Sequence, residues 1–347
     1  MAELYQYMVG VRCFTFNQSK YILDTLNGFC AQRTNFPYVC LIVDDCSTDG
    51  EQTLLERFLN EKFDTTGQTF QREETEDYSL EYAQHKENRN CFFAVYFLKY
   101  NHHRKKSKSP YYAKYVEQSK YIATCEGDDF WIDEDNLQTK VDFLEKHPDF
   151  SMVFSNVRIL ANKEFLYDSQ PGLKDREVSL GEIILNGGMF VPTPSRIYRR
   201  QPKGNAYPDF CKKCWVGDYP LQIYLATKGR VFCFSRPMAI YRYGSEGSWS
   251  QRTRKVSFEK KRAGIESELI MLNGMNSLTE YKYNAFFLKR KIRMLKGDFF
   301  KESKLGLSGR WYNIFFFPFL FPTYGVMIPL FRRFERVIFG KNRKFFY

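Results

Sequence analysis

The stretch from Lys120 to Asn136 reads Lys-Tyr-Ile-Ala-Thr-Cys-Glu-Gly-Asp-Asp-Phe-Trp-Ile-Asp-Glu-Asp-Asn. Its apolar residues 121–125 predict a short buried strand. The strand gives way at once to Glu126-Gly127-Asp128-Asp129, three carboxylates in four residues. These charges repel each other unless a cation lies among them, and Mg²⁺ or Mn²⁺ prefers such oxygen ligands. Because ligands bind at the carboxyl ends of strands in α/β sheets, the stretch predicts a metal-dependent site; an acidic turn in solvent is the alternative.

Two more strands are predicted near the amino terminus, at 9–16 and 39–43. The second is a continuous apolar run, which is typical of a strand covered on both faces of a parallel sheet. It also ends in acids, Asp44-Asp45. Each strand is followed by apolar residues at helical spacing, which predicts a Rossmann-like, mostly parallel α/β sheet flanked by helices. The candidate N-caps of these helices are Asn17, Ser19, Ser47 and Asp49.

The segment from Thr65 to Asn90 is polar and acidic, and we interpret it as an inserted loop with a helix. A strand is predicted next, over 91–97. The segment from Lys99 to Ser109 is basic and carries Lys108 close before Pro110. Such a loop at the sheet edge could contact the phosphates of a nucleotide; a solvated loop is the alternative.

In the second half of the chain, one acid stands out. Asp218 precedes an apolar helix and has Pro220 two residues later, so an N-cap is the simple interpretation. The loop from Gly187 to Ser195 leads into a strand predicted to start at Arg196. Cys211 and Cys214 have no second cysteine pair beside them, which disfavours zinc.

The charge is uneven along the 347 residues. The chain carries a net +12, yet residues 251–347 alone hold 21 Lys and Arg against 7 Asp and Glu, a net +14 that leaves −2 for the rest. Within this tail, Ile314 to Phe331 contains no charged residue and is flanked by arginines. Its three prolines disfavour a regular membrane-spanning helix. Aromatic residues beside cations are typical of a segment at an anionic membrane surface, and a buried packing segment is the alternative.

Nine cysteines at irregular spacing and no signal peptide predict a reducing cytosol with free thiols. With the tail, this predicts a cytoplasmic protein, peripheral on the inner face of the cell membrane.

Four blocks of the chain form one pattern in this order: Phe14-Thr15-Phe16-Asn17, Val43-Asp44-Asp45-Cys46-Ser47-Thr48-Asp49-Gly50, Glu126-Gly127-Asp128-Asp129-Phe130-Trp131 and Gly217-Asp218. Together they resemble the family 2 glycosyltransferases, of the type that builds bacterial cell-surface polysaccharides. The match extends from about Val9 to Tyr243.

The resemblance implies a GT-A fold over residues 1–245. The pattern of the remaining residues predicts a helical, basic and aromatic C-terminal extension over 246–347, with membrane contact at 311–347. It implies an inverting transfer of a sugar from a nucleotide-diphosphate donor, with UDP-sugar expected, to a glycan or lipid-linked acceptor. Asp218 would be the general base, and Mg²⁺ or Mn²⁺ would bind Asp128 with Asp129 in support. The nucleotide would contact Phe14, Thr15, Phe16, Asp45, Lys108 and Glu126.

The chain departs from the family pattern at several positions: Phe14 replaces Pro, Cys46 replaces Gly, Glu126 replaces the commoner Asp, and Gly244 stands where some members have His. A nucleotidyltransferase is the rival enzyme, but residues 14–19 lack the Gly-rich loop of that class. A nucleic-acid-binding module is the non-enzymatic rival. A groove that follows nucleic acid phosphates requires cations between its aromatic residues, and Ile314 to Phe331 contains none. We therefore expect no nucleic acid partner.

Overall fold

The computed structural model describes residues 5–103, 105–161, 164–170, 172–202, 207–248, 251–252 and 256–294. Its strands are β1 Tyr7–Thr15, β2 Tyr38–Asp44, β3 Gln71–Glu74, β4 Tyr78–Gln84, β5 Cys91–Leu98, β6 Ser119–Thr124, β7 Phe130–Trp131, β8 Phe150–Ala161, β9 Glu164–Asp168, β10 Arg176–Val178, β11 Ile197–Arg199 and β12 Arg230–Arg242. Its helices are α1 Ile22–Cys30, α2 Glu51–Lys62, α3 Ser109–Glu117, α4 Asn136–Lys146, α5 Leu180–Asn186, α6 Asp209–Lys212, α7 Asp218–Ala226, α8 Phe258–Leu278 and α9 Asn284–Met294. Short 3₁₀ turns cover Gly188–Phe190 and Thr193–Ser195.

One mixed sheet holds these strands in the order β10-β12-β8-β11-β6-β1-β2-β5-β4-β3, with β7 beside β12 and β9 beside β8. The central run β6-β1-β2-β5 is parallel, as the predicted strand–helix alternation requires. Antiparallel pairs flank it on both sides, through β11 on one side and β4 on the other. Because these strands are parallel, the carboxyl ends of β1, β2 and β6 lie side by side at one end of the strands, which we call the edge of the sheet.

Strand β2 shows why the sheet is covered on both faces. Its seven residues are all buried, and successive side chains point to opposite faces. Tyr38, Cys40 and Ile42 join a core with residues of α1, α2 and α4. Val39, Leu41 and Val43 join a second core, rich in tyrosine, with residues of α3 and β4.

The predicted insertion is a β-hairpin, so the helix that we expected between Thr65 and Asn90 is wrong. Strands β3 and β4 pair with each other, and β4 extends the sheet by pairing with β5. Tyr78, Leu80 and Tyr82 alternate along β4 and pack against the tyrosine-rich core, and this burial decides for strand over helix.

The chain divides into two compact units. The first comprises Met1–Ser179, Val191–Asn205 and Lys228–Val256, and it contains the whole described sheet and α1–α4. The second comprises Leu180–Phe190, Ala206–Thr227 and Ser257–Tyr347, with α5–α9 in its described part.

No helix in the described ranges is both long enough and apolar enough to cross a membrane. The predicted membrane-contacting segment, 311–347, lies outside the described residues. All nine cysteines are free of disulfides, as predicted.

Candidate active site

Both acidic segments flank the carboxyl end of β1. The backbone N–H of Asp45 donates to the carbonyl of Thr15 at 3.0 Å, and the N–H of Gly127 donates to the carbonyl of Phe14 at 3.1 Å. Phe16 follows and is 39% exposed. Thus the structure brings three of the predicted segments, 14–17, 43–50 and 126–129, together at the carboxyl ends of the strands, as their positions after strands predicted.

A residue that the sequence analysis missed, Glu51, joins the loops after β1 and β2. Its buried carboxylate accepts from the hydroxyl of Thr15, from the hydroxyl of Ser47 at 2.9 Å and from the N–H of Gln18 at 2.8 Å. Burial raises the pKa of Glu51. The pattern Thr48-x-x-Glu51 resembles a capping box, which is the signal that could have identified it.

None of the predicted capping residues stands at an N-cap position. The N-cap residues are Tyr21 for α1 and Gly50, at φ 88°, for α2, and neither makes a side-chain hydrogen bond. Asp49 nevertheless accepts from the N–H of Glu51, the first residue of α2, at 3.1 Å. The polar side chains also bond across the two loops: Ser47 accepts from the N–H of Asn17 at 2.8 Å, and Asp49 accepts from that of Ser19 at 2.9 Å. These bonds fix the loop that carries Asp45.

Asp45 is held by two donors from the basic segment. Its Oδ1 accepts from the backbone N–H of His102 at 2.7 Å, and its Oδ2 accepts from the ammonium of Lys108 at 2.6 Å. The same ammonium lies 5.6 Å from the ring centroid of Phe14. A cavity of ≈ 280 Å³ opens here; it is lined by Phe14, His102, His103, Lys106, Ser107, Lys108, Ser109 and Tyr112. The predicted residues Phe14, Asp45 and Lys108 therefore lie together, while Lys108 contacts a carboxylate rather than open solvent.

Gly127 is required where it stands, because a Cβ there would lie 2.4 Å from the Thr15 hydroxyl oxygen and 2.5 Å from Oε1 of Gln18. The close approach places Asp128 and Asp129 inside the edge of the sheet, at 7% and 1% exposure. Glu126 is exposed, so it is the acid of this turn that faces outward. The turn is thus not merely a solvated acidic loop.

Two further residues hold this acid pair. The hydroxyl of Ser245 donates to Oδ2 of Asp128 at 2.8 Å, and the backbone N–H of Arg242 donates to Oδ1 of Asp129 at 2.8 Å. The Arg242 guanidinium donates to the Asp128 carbonyl at 2.7 Å and to Asp24. No local pattern in the sequence announces these contacts, which span more than a hundred residues.

The acid pair is chemically suited to a hard divalent cation. Burial raises the pKa of Asp128, and burial together with the neighbouring Asp128 charge raises the pKa of Asp129 well above its usual range. A cation would relieve both effects. In the part of the chain that is described, no three His, Cys, Asp or Glu side chains converge as a metal cage. Mg²⁺ usually takes one or two carboxylates and completes its shell with substrate oxygens.

Asp218 lies in the second unit and is the first residue of α7. The N-cap is Gly217, and Oδ1 of Asp218 accepts from the N–H of Tyr219 at 2.8 Å. A Cβ on Gly188 would lie 3.3 Å from Oδ2, so that glycine leaves space beside the carboxylate. The buried Tyr219 hydroxyl anchors the helix by donating to the carbonyl of Ile184 at 2.5 Å.

Comparison with known proteins bears on this site. Residues 14–75 match the model of the family described as glycosyl transferase family 2. The chain is 26% identical over 278 residues to the uncharacterized protein Rv1520 of Mycobacterium tuberculosis. The matched region covers 77% of this chain and 69% of that protein. The uncharacterized protein Mb1547 of Mycobacterium bovis matches over the same length with the same identity.

Among solved structures, the fold is similar to that of S. aureus TarS. TarS 1–349 in complex with UDP gives a TM-score of 0.58 at 17% identity, over 90% of this chain and 79% of that chain. Its complex with UDP-GlcNAc gives 0.58 at 17% identity, over 88% and 78%. The predicted GT-A fold is confirmed, and the predicted resemblance to family 2 glycosyltransferases is confirmed over residues 14–75.

Proposed function

We propose that this chain moves a sugar from a UDP-sugar to a hydroxyl of a glycan or lipid-linked acceptor, with inversion at the anomeric carbon and with help from Mg²⁺ or Mn²⁺. The observation that carries the proposal is the meeting of two acidic segments at the end of β1: one holds a Lys108–Asp45 pair beside a cavity, and the other holds two buried carboxylates. Residues 1–245 would carry donor binding and catalysis, and residues 246–347 would form the C-terminal region.

The Asp45 region suits a uracil base. Uracil presents a ring N–H between two carbonyl oxygens, which a carboxylate acceptor and an adjacent ammonium donor complement. Cytosine presents an acceptor nitrogen at that position, which would face the carboxylate. Phe14 beneath Lys108 and the exposed Phe16 supply flat surfaces for stacking, and Thr15 and Glu126 would complete the nucleotide contacts. S. aureus TarS, which shares the fold, has been crystallised with UDP and UDP-GlcNAc, and this supports a UDP-linked donor.

Asp128 would hold the divalent cation, with Asp129 in support. The bound cation would act as a Lewis acid that stabilises negative charge on the departing diphosphate. The chain's own contribution is to hold the two carboxylates still: Ser245 fixes one, and the Arg242 backbone fixes the other.

Asp218 would remove the proton from the acceptor hydroxyl as that oxygen attacks the anomeric carbon. Its carboxylate is partly exposed, and the neighbouring Gly188 adds no side chain next to it. A single displacement, in which UDP leaves from the face opposite to the attack, inverts the anomeric centre. General-base assistance of this kind contributes about 10²–10⁴-fold.

The acceptor and the place of action complete the proposal. The basic tail would hold the enzyme on the inner face of the cell membrane. There, attraction to anionic lipid contributes roughly 1 kcal/mol of binding free energy for each nearby lysine or arginine. Lipid-linked acceptors of cell-surface polysaccharides would be encountered there.

The proposal is tested by thermal unfolding with UDP, GDP, CDP and dTDP, each with and without Mn²⁺. A ligand at 100 times its Kd stabilises a fold by about 2.7 kcal/mol, which is readily measured. We expect the largest shift with UDP, dependent on Mn²⁺, and loss of that dependence in Asp128→Asn. If no nucleotide stabilises the wild-type protein, the proposal fails; a metal-independent shift refutes the role of Asp128 alone.

A further inference from the structure

The turn of the β3–β4 hairpin contacts the basic segment, Lys99 to Ser109, at its start and again at Lys106. The carbonyl of Asp77, in the hairpin turn, accepts from the N–H of Lys99 at 2.9 Å. The Asp77 carboxylate accepts from the ammonium of Lys106 at 2.6 Å and from the hydroxyl of Tyr100 at 2.6 Å. The Lys106 ammonium lowers the pKa of Asp77 to about 2, so this carboxylate is charged at any physiological pH.

From Tyr100 the contacts continue to His102. The two rings stack at 4.3 Å with an interplanar angle of 18°. Nδ1 of His102 lies 2.7 Å from the carbonyl of Tyr100, which can only accept, so Nδ1 carries the proton. Nε2 then accepts from the hydroxyl of Tyr111 at 2.9 Å, and the imidazole is completely buried. His102 therefore has one orientation.

The fixed His102 and its neighbour Asn101 both contact Asp45. The backbone N–H of His102 donates to Oδ1 of Asp45, and the side-chain amide of Asn101 donates to the Asp45 carbonyl at 3.1 Å. Lys108, at the far end of the same segment, donates to the other carboxylate oxygen. Two successive residues and one lysine of a single loop thus set the position of one carboxylate.

We propose that the β3–β4 hairpin braces the loop that orients Asp45, so that Asp77 and Tyr100 are positioning residues for recognition of the nucleobase. This inference rests on the proposed function. It assigns a role to a hairpin that the transfer chemistry does not require. Without Asp77, Tyr100 and Lys106 lose their common acceptor, and the ring beneath His102 is no longer fixed. Asp45 would then accept from a ring N–H in a less defined geometry.

The test compares Asp77→Asn with Tyr100→Phe, which keeps the stacked ring but removes the hydroxyl that donates to Asp77. Glu73→Gln is the matched control, because Glu73 lies in the same hairpin but accepts from the hydroxyl of Tyr78, at 2.9 Å, rather than from Tyr100 or Lys106. Calorimetric titration with UDP and with CDP, both in excess Mn²⁺, gives two Kd values for each protein. The two nucleotides share the ribose and diphosphate, so the ratio of their Kd values isolates recognition of the base.

We expect wild type and Glu73→Gln to prefer UDP equally. Asp77→Asn should weaken UDP binding by roughly fivefold and lower the preference for UDP over CDP by a similar factor, with a smaller effect in Tyr100→Phe. A parallel loss for both nucleotides, or no loss, would overturn the positioning role, since a brace for stability alone does not change the ratio. Absence of binding to wild type would instead overturn the proposed function.

Discussion

Lys140, on α4, is a completely buried lysine whose proton should make stability depend on pH. Its ammonium donates to Oδ1 of Asn136 at 2.5 Å, to the hydroxyl of Ser155 at 3.1 Å and to the carbonyl of Ser195 at 2.6 Å. None of these acceptors carries a charge. Burial lowers the pKa of Lys140 to about 7, although Asp133 lies near enough to oppose that effect.

The direction of the pH dependence follows from this lowered pKa. An unfolded lysine has a pKa of about 10.4, so between about pH 7 and pH 10 the unfolded chain binds more protons than the folded one. The free energy of unfolding must then rise with pH in that window, by up to about 1.4 kcal/mol per pH unit from this group. Summed over the window, the gain is about 3 kcal/mol. Below pH 7 both states hold the proton, and the contribution is constant.

The assay is urea unfolding of the wild type and of Lys140→Met between pH 6 and pH 10. Methionine has a similar length and no ionisable group, so the difference between the two free energies of unfolding removes the titration of all other residues. We expect that difference to move in favour of the wild type by about 3 kcal/mol from pH 7 to pH 10, and to stay flat below pH 7. Parallel profiles would show that Lys140 keeps an ordinary pKa in the fold, and the reasoning from its uncharged acceptors would be refuted.

Three further predictions concern the site and the tail. Gly127→Ala should cost about 1–3 kcal/mol in urea unfolding, because its Cβ would clash with Thr15, whereas Gly217→Ala, with nothing within 4 Å, should cost much less; equal costs would contradict the packing argument. Asp218→Asn should lower sugar transfer by about 10²–10⁴-fold and leave the Kd for UDP nearly unchanged, so an equal loss of binding and turnover would remove Asp218 as the base. Deletion of 311–347 should release the protein from anionic vesicles at low salt; a wild type that never binds such vesicles would leave no membrane role for the tail.

The sequence predicted the central part of the fold well, because local patterns determine it. The continuous apolar run at 39–43 corresponds to the fully buried β2, and the acids after it lie at the sheet edge. The hairpin was missed because β3 is entirely exposed and three of its four residues are charged, with no apolar alternation to mark a strand. Strand β4 does alternate, through Tyr78, Leu80 and Tyr82, and that signal was available.

The site was only partly predictable. Phe14, Asp45, Lys108 and Asp128 could be selected because each follows a strand or stands in a motif. The residues that orient them could not, because their contacts join distant parts of the chain. Ser245 meets Asp128 across 117 positions, and no local periodicity encodes such a pair.

The two acid pairs differ in how their charge is compensated, and this difference supports the roles proposed for them. Asp45 has a built-in counter-ion, since the Lys108 ammonium lies 2.6 Å from its carboxylate. Arg242 lies beside the other pair, but its guanidinium contacts the Asp128 carbonyl and Asp24, and its backbone N–H donates to the Asp129 carboxylate. Within the described residues, the carboxylates of Asp128 and Asp129 thus gain no ion pair with a lysine or arginine, although both are buried. This contrast supports the proposal that a divalent cation binds at Asp128, whereas Asp45 and its lysine would match a neutral polar edge such as that of uracil.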